Sequence, residues 1–139
     1  MTQTTFTITT DGPGLTEITP EVADWLPGDD GLLTLFIRHT SASLLIQENA
    51  DPEVRTDLTA FLHRLAPPTT DPSMDYLTHT YEGPDDMPGH IKAMLLPTSL
   101  QIPVAEGRMV LGTWQGIYVV EHRDRPHRRE VAAHFAADG

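Results

Sequence analysis

The chain has 139 residues and a mass of 15.4 kDa, the size of one domain that can fold around its own core. Its 9 basic and 20 acidic residues leave a net charge of −11 with histidine neutral, a field that repels nucleic-acid backbones and anionic membranes. Cysteine is absent, which excludes disulfides, thiolate metal sites and cysteine nucleophiles.

No apolar run approaches the ~20 residues of a membrane span, and Met1-Thr2-Gln3-Thr4 lacks a basic start with an apolar stretch behind it. A single cytoplasmic domain over 1–139 is expected, with neither nucleic acid nor membrane as partner. Residues 4–9 alternate β-branched and aromatic side chains and run into Asp11-Gly12-Pro13-Gly14, a strand and its turn. Thr19 followed by Pro20 reads as a helix N-cap, with Pro27-Gly28 as the stop. Two apolar runs, 31–38 and 42–47, are separated by His39-Thr40-Ser41 and predict neighbouring strands with a polar corner.

Residues 51–65 predict the clearest helix. Asp51 caps it, Pro52 sits in the first turn and Glu53 favours the positive end of the dipole. Val54, Leu58, Phe61, Leu62 and Leu65 form one apolar stripe, with His63 on the polar side. Residues 75–81 read as a short extended piece and 85–96 as a second helix, in which Pro88 falls in the first turn. Strands follow over 99–104, 108–111, 116–121 and 130–135, with Gly112-Thr-Trp-Gln-Gly116 as a hairpin connection. About seven strands and two or three helices predict an α+β domain, a small two-sheet β-sandwich flanked by helices.

Four of the nine basic residues fall in the next turn, as Arg123, Arg125, Arg128 and Arg129. They read either as a solvated hairpin or as a local patch that attracts anions. Seven histidines are many for this chain. His63, His122, His127 and His134 have surface explanations. His39 shares strand parity with Leu35 and Ile37, His79 shares it with Leu77 and Tyr81, and His90 lies on the helix face of Met94. All three are expected to turn inward, beside Glu48, Glu82, Asp85 and Asp86, where neutral imidazoles are ready ligands for a divalent metal. Glu48 shares parity with Leu44 and Ile46, and Glu121 with Ile117 and Val119, so both carboxylates are expected to point inward and to need a partner. Asp51 has the structural duty of a cap. No nucleophile elbow frames Thr40, Ser41 or Ser43, and no phosphate-cradling glycine loop is present.

Three stretches are familiar together. His39-Thr-Ser-Ala-Ser43 leading to Glu48-Asn-Ala-Asp-Pro52, His79-Thr-Tyr-Glu-Gly-Pro-Asp-Asp-Met-Pro88 with His90, and Gly112-Thr-Trp-Gln-Gly116 with Glu121-His122-Arg123 resemble the YjbQ-like family, as does Ser99-Leu-Gln-Ile-Pro-Val-Ala-Glu-Gly107. The likeness runs from about Phe6 to Phe135, with Arg125-Pro126 a departure in the last hairpin. It implies a trimer with a polar cleft between subunits, and the activity of a secondary thiamine-phosphate synthase, in which a thiazole nitrogen displaces pyrophosphate from a pyrimidine methylene carbon. It implies that these histidines and acids line the cleft, and the expected site there has Glu48, Asp85, Asp86 and Glu121 as catalytic acids and His39, His79 and His90 on a zinc or magnesium ion. Thr40, Ser41, Asn49, Gln115 and Arg123 would contact a small substrate that carries phosphate. The alternatives are a metal-dependent hydrolase and a non-catalytic trimer that binds a small anionic metabolite. Trp114 and Leu111 near a hairpin tip, with Ile117 and Tyr118 beyond it, offer apolar surface for a trimer contact.

Overall fold

The computed structural model describes residues 2–139; Met1, where the search for a leader begins, lies outside them. Eight strands form two antiparallel sheets. The larger has the order β1 (Thr2–Thr10), β8 (His127–Ala137), β3 (Gly31–Ile37), β5 (Ser99–Ala105), β6 (Arg108–Met109). The smaller places β7 (Gln115–Glu121) between β2 (Gly14–Glu17) and β4 (Ala42–Glu48). The fold is α+β, with helices α1 (Thr19–Trp25), α2 (Pro52–Leu65) and α3 (Asp86–Leu95) and a short 3₁₀ turn at Pro72–Met74. Among the described residues no helix is long and apolar enough to cross a membrane.

Strand alternation decides what the sheets bury. Leu33, Leu35 and Ile37 of β3, Ile102 and Val104 of β5, and Val131, Ala133 and Phe135 of β8 face one side. Ala42 and Leu44 of β4 and Ile117 and Val119 of β7 meet them in one buried cluster, closed by Ile18 and Val22 at α1. The opposite face of β7 is buried too, at Tyr118 and Val120.

The helices depart from expectation. Asp51 does cap α2, its Oδ1 accepting the Glu53 N–H at 2.9 Å. Yet α2 has no buried residue, and the stripe expected to enter the core leaves Phe61 62% and Leu65 51% exposed. The two sheets already bury each other, so α2 is left to pack beside β2, at the rim of the smaller sheet. In α3, Met94 is 75% exposed and the covered side is Asp86, Pro88, Gly89, Lys92 and Ala93, so the face expected to be buried is the open one. Strand β2 was hidden by its shortness and its glycine–proline turn. Residues 75–81 are irregular rather than a strand. The Arg125-Pro126 departure shortens nothing: β8 begins at His127.

Candidate functional site

The N-terminus of α3 is fastened to the end of β7. Arg123 follows that strand, and its Nε donates to Asp85 Oδ2 at 2.8 Å and its Nη1 to Asp86 Oδ1 at 2.7 Å. Its Nη2 donates to the Glu82 carbonyl at 3.2 Å, and the Asp124 N–H donates to Asp85 Oδ2 at 2.9 Å. The chain reaches this clasp through Gly83, whose φ of +103° is one that other residues rarely adopt. Burial pushes the Asp85 carboxyl up, but the Arg123 and Asp124 hydrogen bonds outweigh it and the net shift is down. Arg123 is correspondingly raised by Asp85.

With Oδ1 of Asp86 taken by Arg123, Oδ2 turns to the histidines. His79 Nε2 donates to it at 2.8 Å, and His90 Nε2, one helical turn along α3, stands 3.3 Å away. The two rings meet edge to face with centroids 5.6 Å apart, and Tyr81 packs on the His79 ring at 4.7 Å. Asp86 is buried while both imidazoles are half-exposed, so a solute reaches the cluster from the imidazole side. Among the described residues these are the three side chains whose ligand atoms all fall within 4.8 Å of one another. A tetrahedral centre ~2.0 Å from each ligand requires edges of about 3.3 Å, which the His90–Asp86 spacing matches, while the 2.8 Å His79–Asp86 hydrogen bond has to open by about 0.5 Å. The donor set of two imidazoles and one carboxylate therefore fits a divalent transition metal.

His39 stands outside this group. Its Nε2 accepts the Glu130 N–H at 2.8 Å and its Nδ1 lies 3.3 Å from Arg129 Nη1. Burial, then the Arg129 charge, lower its pKa. It is nonetheless next door, because an open groove of about 280 Å³ is lined by His39, Thr40, His90, Ala93, Met94 and Thr98. A second groove of about 570 Å³ shares His39, Thr40 and Thr98 with the first and continues past Ser41 and Arg129.

Glu121 is inward as its parity predicts, and it is sealed. Arg129 donates to both of its oxygens from Nε and Nη2, Thr10 donates to Oε1, and the His122 and Arg123 N–H groups donate to Oε2. Burial raises its pKa, but these hydrogen bonds prevail and the carboxyl titrates below its ordinary value. Of the arginines read as an anion patch, Arg123 and Arg129 are thus committed to internal carboxylates.

Glu48 corrects the parity argument. Its Oε2 accepts the Ala50 and Asp51 N–H groups at 2.7 and 2.8 Å instead of entering the core, because a tight turn leaves those donors unpaired. Asn49 Nδ2 donates to the Thr113 and Gln115 carbonyls, and Gln115 Oε1 accepts the Gly112 N–H. These three residues build the turns at one end of the β4–β7 ladder, where Glu48 pairs with Gln115, whereas Ala42 pairs with Glu121 at the other. At ~3.3 Å per residue the two ends are about 20 Å apart. Within one chain the expected site therefore divides: His79, His90, Asp85, Asp86 and Arg123 converge, with His39, Thr40 and Ser41 alongside, while Glu48, Asn49 and Gln115 are remote.

His122, read as a hairpin surface residue, is 2% exposed and shares a 2.9 Å hydrogen bond with Ser43 Oγ. Burial, then the Lys92 charge, push its pKa down to about 4. Its parity with Tyr118 and Val120 was the available signal, but it becomes informative only once both faces of β7 are known to be covered.

The family model for the UPF0047 protein YjbQ-like family matches residues 4–138. A UPF0047 protein of Synechocystis sp. is 54% identical over 108 residues, covering 78% of this chain and 71% of that protein. The UPF0047 protein YjbQ of Salmonella typhimurium is 43% identical over 135 residues, 94% of each chain. Among solved structures, a hypothetical protein from Aeropyrum pernix superposes with a TM-score of 0.87 at 30% identity, covering 99% of this chain and 100% of that one. A conserved hypothetical protein from Thermus thermophilus gives 0.84 at 34% identity, covering 96% and 99%. A match over nearly the whole chain in sequence and in fold places the protein plainly: it belongs to the UPF0047, or YjbQ-like, family.

Proposed function

We propose that His79, Asp86 and His90 hold a divalent metal ion and that the adjoining groove past His39 and Thr40 receives a small phosphorylated substrate. The observation that carries this reading is the convergence of two imidazole nitrogens on one carboxylate oxygen at 2.8 and 3.3 Å in a solute-accessible position. Nitrogen donors favour zinc or a related ion over magnesium, which prefers oxygen. A bound ion supplies Lewis acidity toward a leaving diphosphate or toward water. The chain's own part is positioning. Arg123 occupies Oδ1 of Asp86 and so presents Oδ2 to the site, Asp85 fixes Arg123, and His39 lines the groove as a largely neutral imidazole.

Joining a pyrimidine diphosphate to a thiazole phosphate is the specific reaction proposed for this site, with metal-dependent hydrolysis as its alternative. A homotrimer belongs to the same proposal: a second copy is what brings the Glu48–Gln115 end of the smaller sheet to the histidine end. Trp114, 64% exposed, and the open Met94 and Leu95 offer apolar contact for it, whereas Ile117 and Tyr118, expected to contribute, are buried within the chain.

Metal analysis and zinc titration of untagged protein test the reading. Close to one equivalent is expected, lost in His79→Ala, His90→Ala and Asp86→Asn. Less than a tenth of an equivalent of any divalent ion after reloading overturns it. The satisfied His79–Asp86 hydrogen bond favours a second reading, a binder of small anionic metabolites that needs no ion. Turnover of the pyrimidine and thiazole pair that vanishes with chelator argues for the enzyme. Ligand-induced thermal stabilisation without turnover or metal dependence argues for the binder, and a monomer alone in native mass spectrometry removes the trimer.

A further inference from the structure

The single lysine of the chain lies on the covered side of α3, away from His90. Lys92 is 6% exposed, and among the described residues its ammonium has neither a hydrogen bond nor an ion pair. The carboxylates that act on its charge are Asp124 and Asp85, neither in an ion pair with it, and the Asp85 carboxylate is taken up by Arg123. Every fully enclosed side-chain nitrogen and oxygen in the described residues has a partner, so the unpartnered Nζ of Lys92 must touch open space.

Lys92 lines a slot of about 10 Å³ together with His122, Glu121, Val120, Leu62 and Thr59. It holds one water-sized group. Glu121 does not neutralise the lysine there, because its oxygens are held by Arg129 and Thr10. The slot shares Pro13, Gly14, Thr59 and His63 with a groove of about 520 Å³ between α2 and β2, whose further walls include Leu15, Arg55 and Ala60. In a chain of net charge −11, the two cavities present Arg55, His63 and Lys92 against one carboxylate that is already paired.

We propose that this groove and slot bind a small organic carboxylate, its apolar chain lying over Pro13, Leu15 and Ala60 and one carboxylate oxygen entering the slot against the Lys92 ammonium. An ammonium with no protein partner and little room for hydrating water is the arrangement an anion relieves. The slot takes one oxygen and has no room for a phosphate tetrahedron, which sets the ligand class. Arg55 at the groove wall, 5.8 Å over the Tyr118 ring and donating to its hydroxyl, adds attraction for the incoming anion. The site is separate from the His79–Asp86–His90 cluster and independent of any metal there.

Amide NMR titration of the full chain in the presence of chelator, with butyrate, butyramide and inorganic phosphate as probes, tests the proposal. Butyrate is expected to give saturable shifts at Gly14, Thr59 and His63, with butyramide at least tenfold weaker and phosphate not saturating at those positions. Lys92→Met keeps the stem and removes the charge, and should weaken butyrate at least tenfold. Ala60→Phe, on an exposed position of α2, should block the groove without touching Lys92, and decides the matter should the lysine variant fail to fold. Equal affinity for butyrate and butyramide, unchanged butyrate binding in either folded variant, or no saturable shift with butyrate overturns the site. Tighter binding of phosphate than of butyrate overturns the ligand class.

Discussion

Arg123 and Arg129 flank the turn between β7 and β8, and each clasps a carboxylate beside a histidine, yet the two clusters have opposite characters. Arg129 and Glu121 are 5% and 1% exposed in their side chains, and both Glu121 oxygens are taken up by protein donors. Arg123 is 22% exposed, and the Asp86 it fixes turns its second oxygen to two half-exposed imidazoles. The same residue types thus serve as scaffold where both partners are enclosed and as a candidate site where one acceptor is joined to imidazoles that reach solvent. Chemistry requires an atom that a solute can reach, and residue type alone does not report that.

The comparison is broken most severely by removing the enclosed arginine. Arg129→Met leaves Glu121 buried without its cation and should cost about 3–5 kcal/mol in urea unfolding, while zinc binding by the folded fraction persists. An effect below ~1 kcal/mol would show that Glu121 finds water and that the two clusters are alike.

Next in size is the pH dependence that the enclosed side imposes. The His122 imidazole titrates near 4 when folded against about 6.5 when unfolded, so the unfolded chain binds the extra proton between these values. Stability is complete above pH ~6.5 and declines as pH falls toward 4, by up to about 3 kcal/mol. Glu121, depressed below its ordinary value, adds a loss as pH falls through its own folded pKa. Urea unfolding at stepped pH should show a shallower decline in His122→Gln, and equal slopes would clear His122 of the effect.

At the open cluster, Arg123→Met should cost about 1.5–3 kcal/mol, since Asp86 keeps His79 as a partner, but should weaken zinc binding where Arg129→Met does not. Asp51→Ala removes a local cap far from both clusters and should cost about 0.5–2 kcal/mol with metal binding intact. His63→Ala, on an exposed position of α2, should move stability by less than ~0.5 kcal/mol and leave zinc affinity unchanged, which calibrates the rest.

Sequence by itself determined what short-range rules govern. The Asp51-Pro52-Glu53 start of α2 depends on one carboxylate and an N–H two residues away, Pro88 falls where helices tolerate it, and period-two alternation assigned Leu35, Ile37, Ile117, Val119 and Glu121 to the core side. The motifs around His39, His79 and Gly112 likewise sufficed for the family, because those residue runs are contiguous in the chain. Tertiary structure decided what lies opposite each face. Parity put His122 with Tyr118 and Val120 but not beneath a covering layer, the stripe of α2 was apolar yet met a rim already closed by the two sheets, and Glu48 turned to nearby amides rather than follow its strand inward. The grouping of His79 and His90 on Asp86 without His39, and the lone Lys92 at the foot of a slot, depend on which elements pack together. Periodicity states a direction; burial and contact are properties of the neighbour that happens to be there, and that neighbour is distant in sequence.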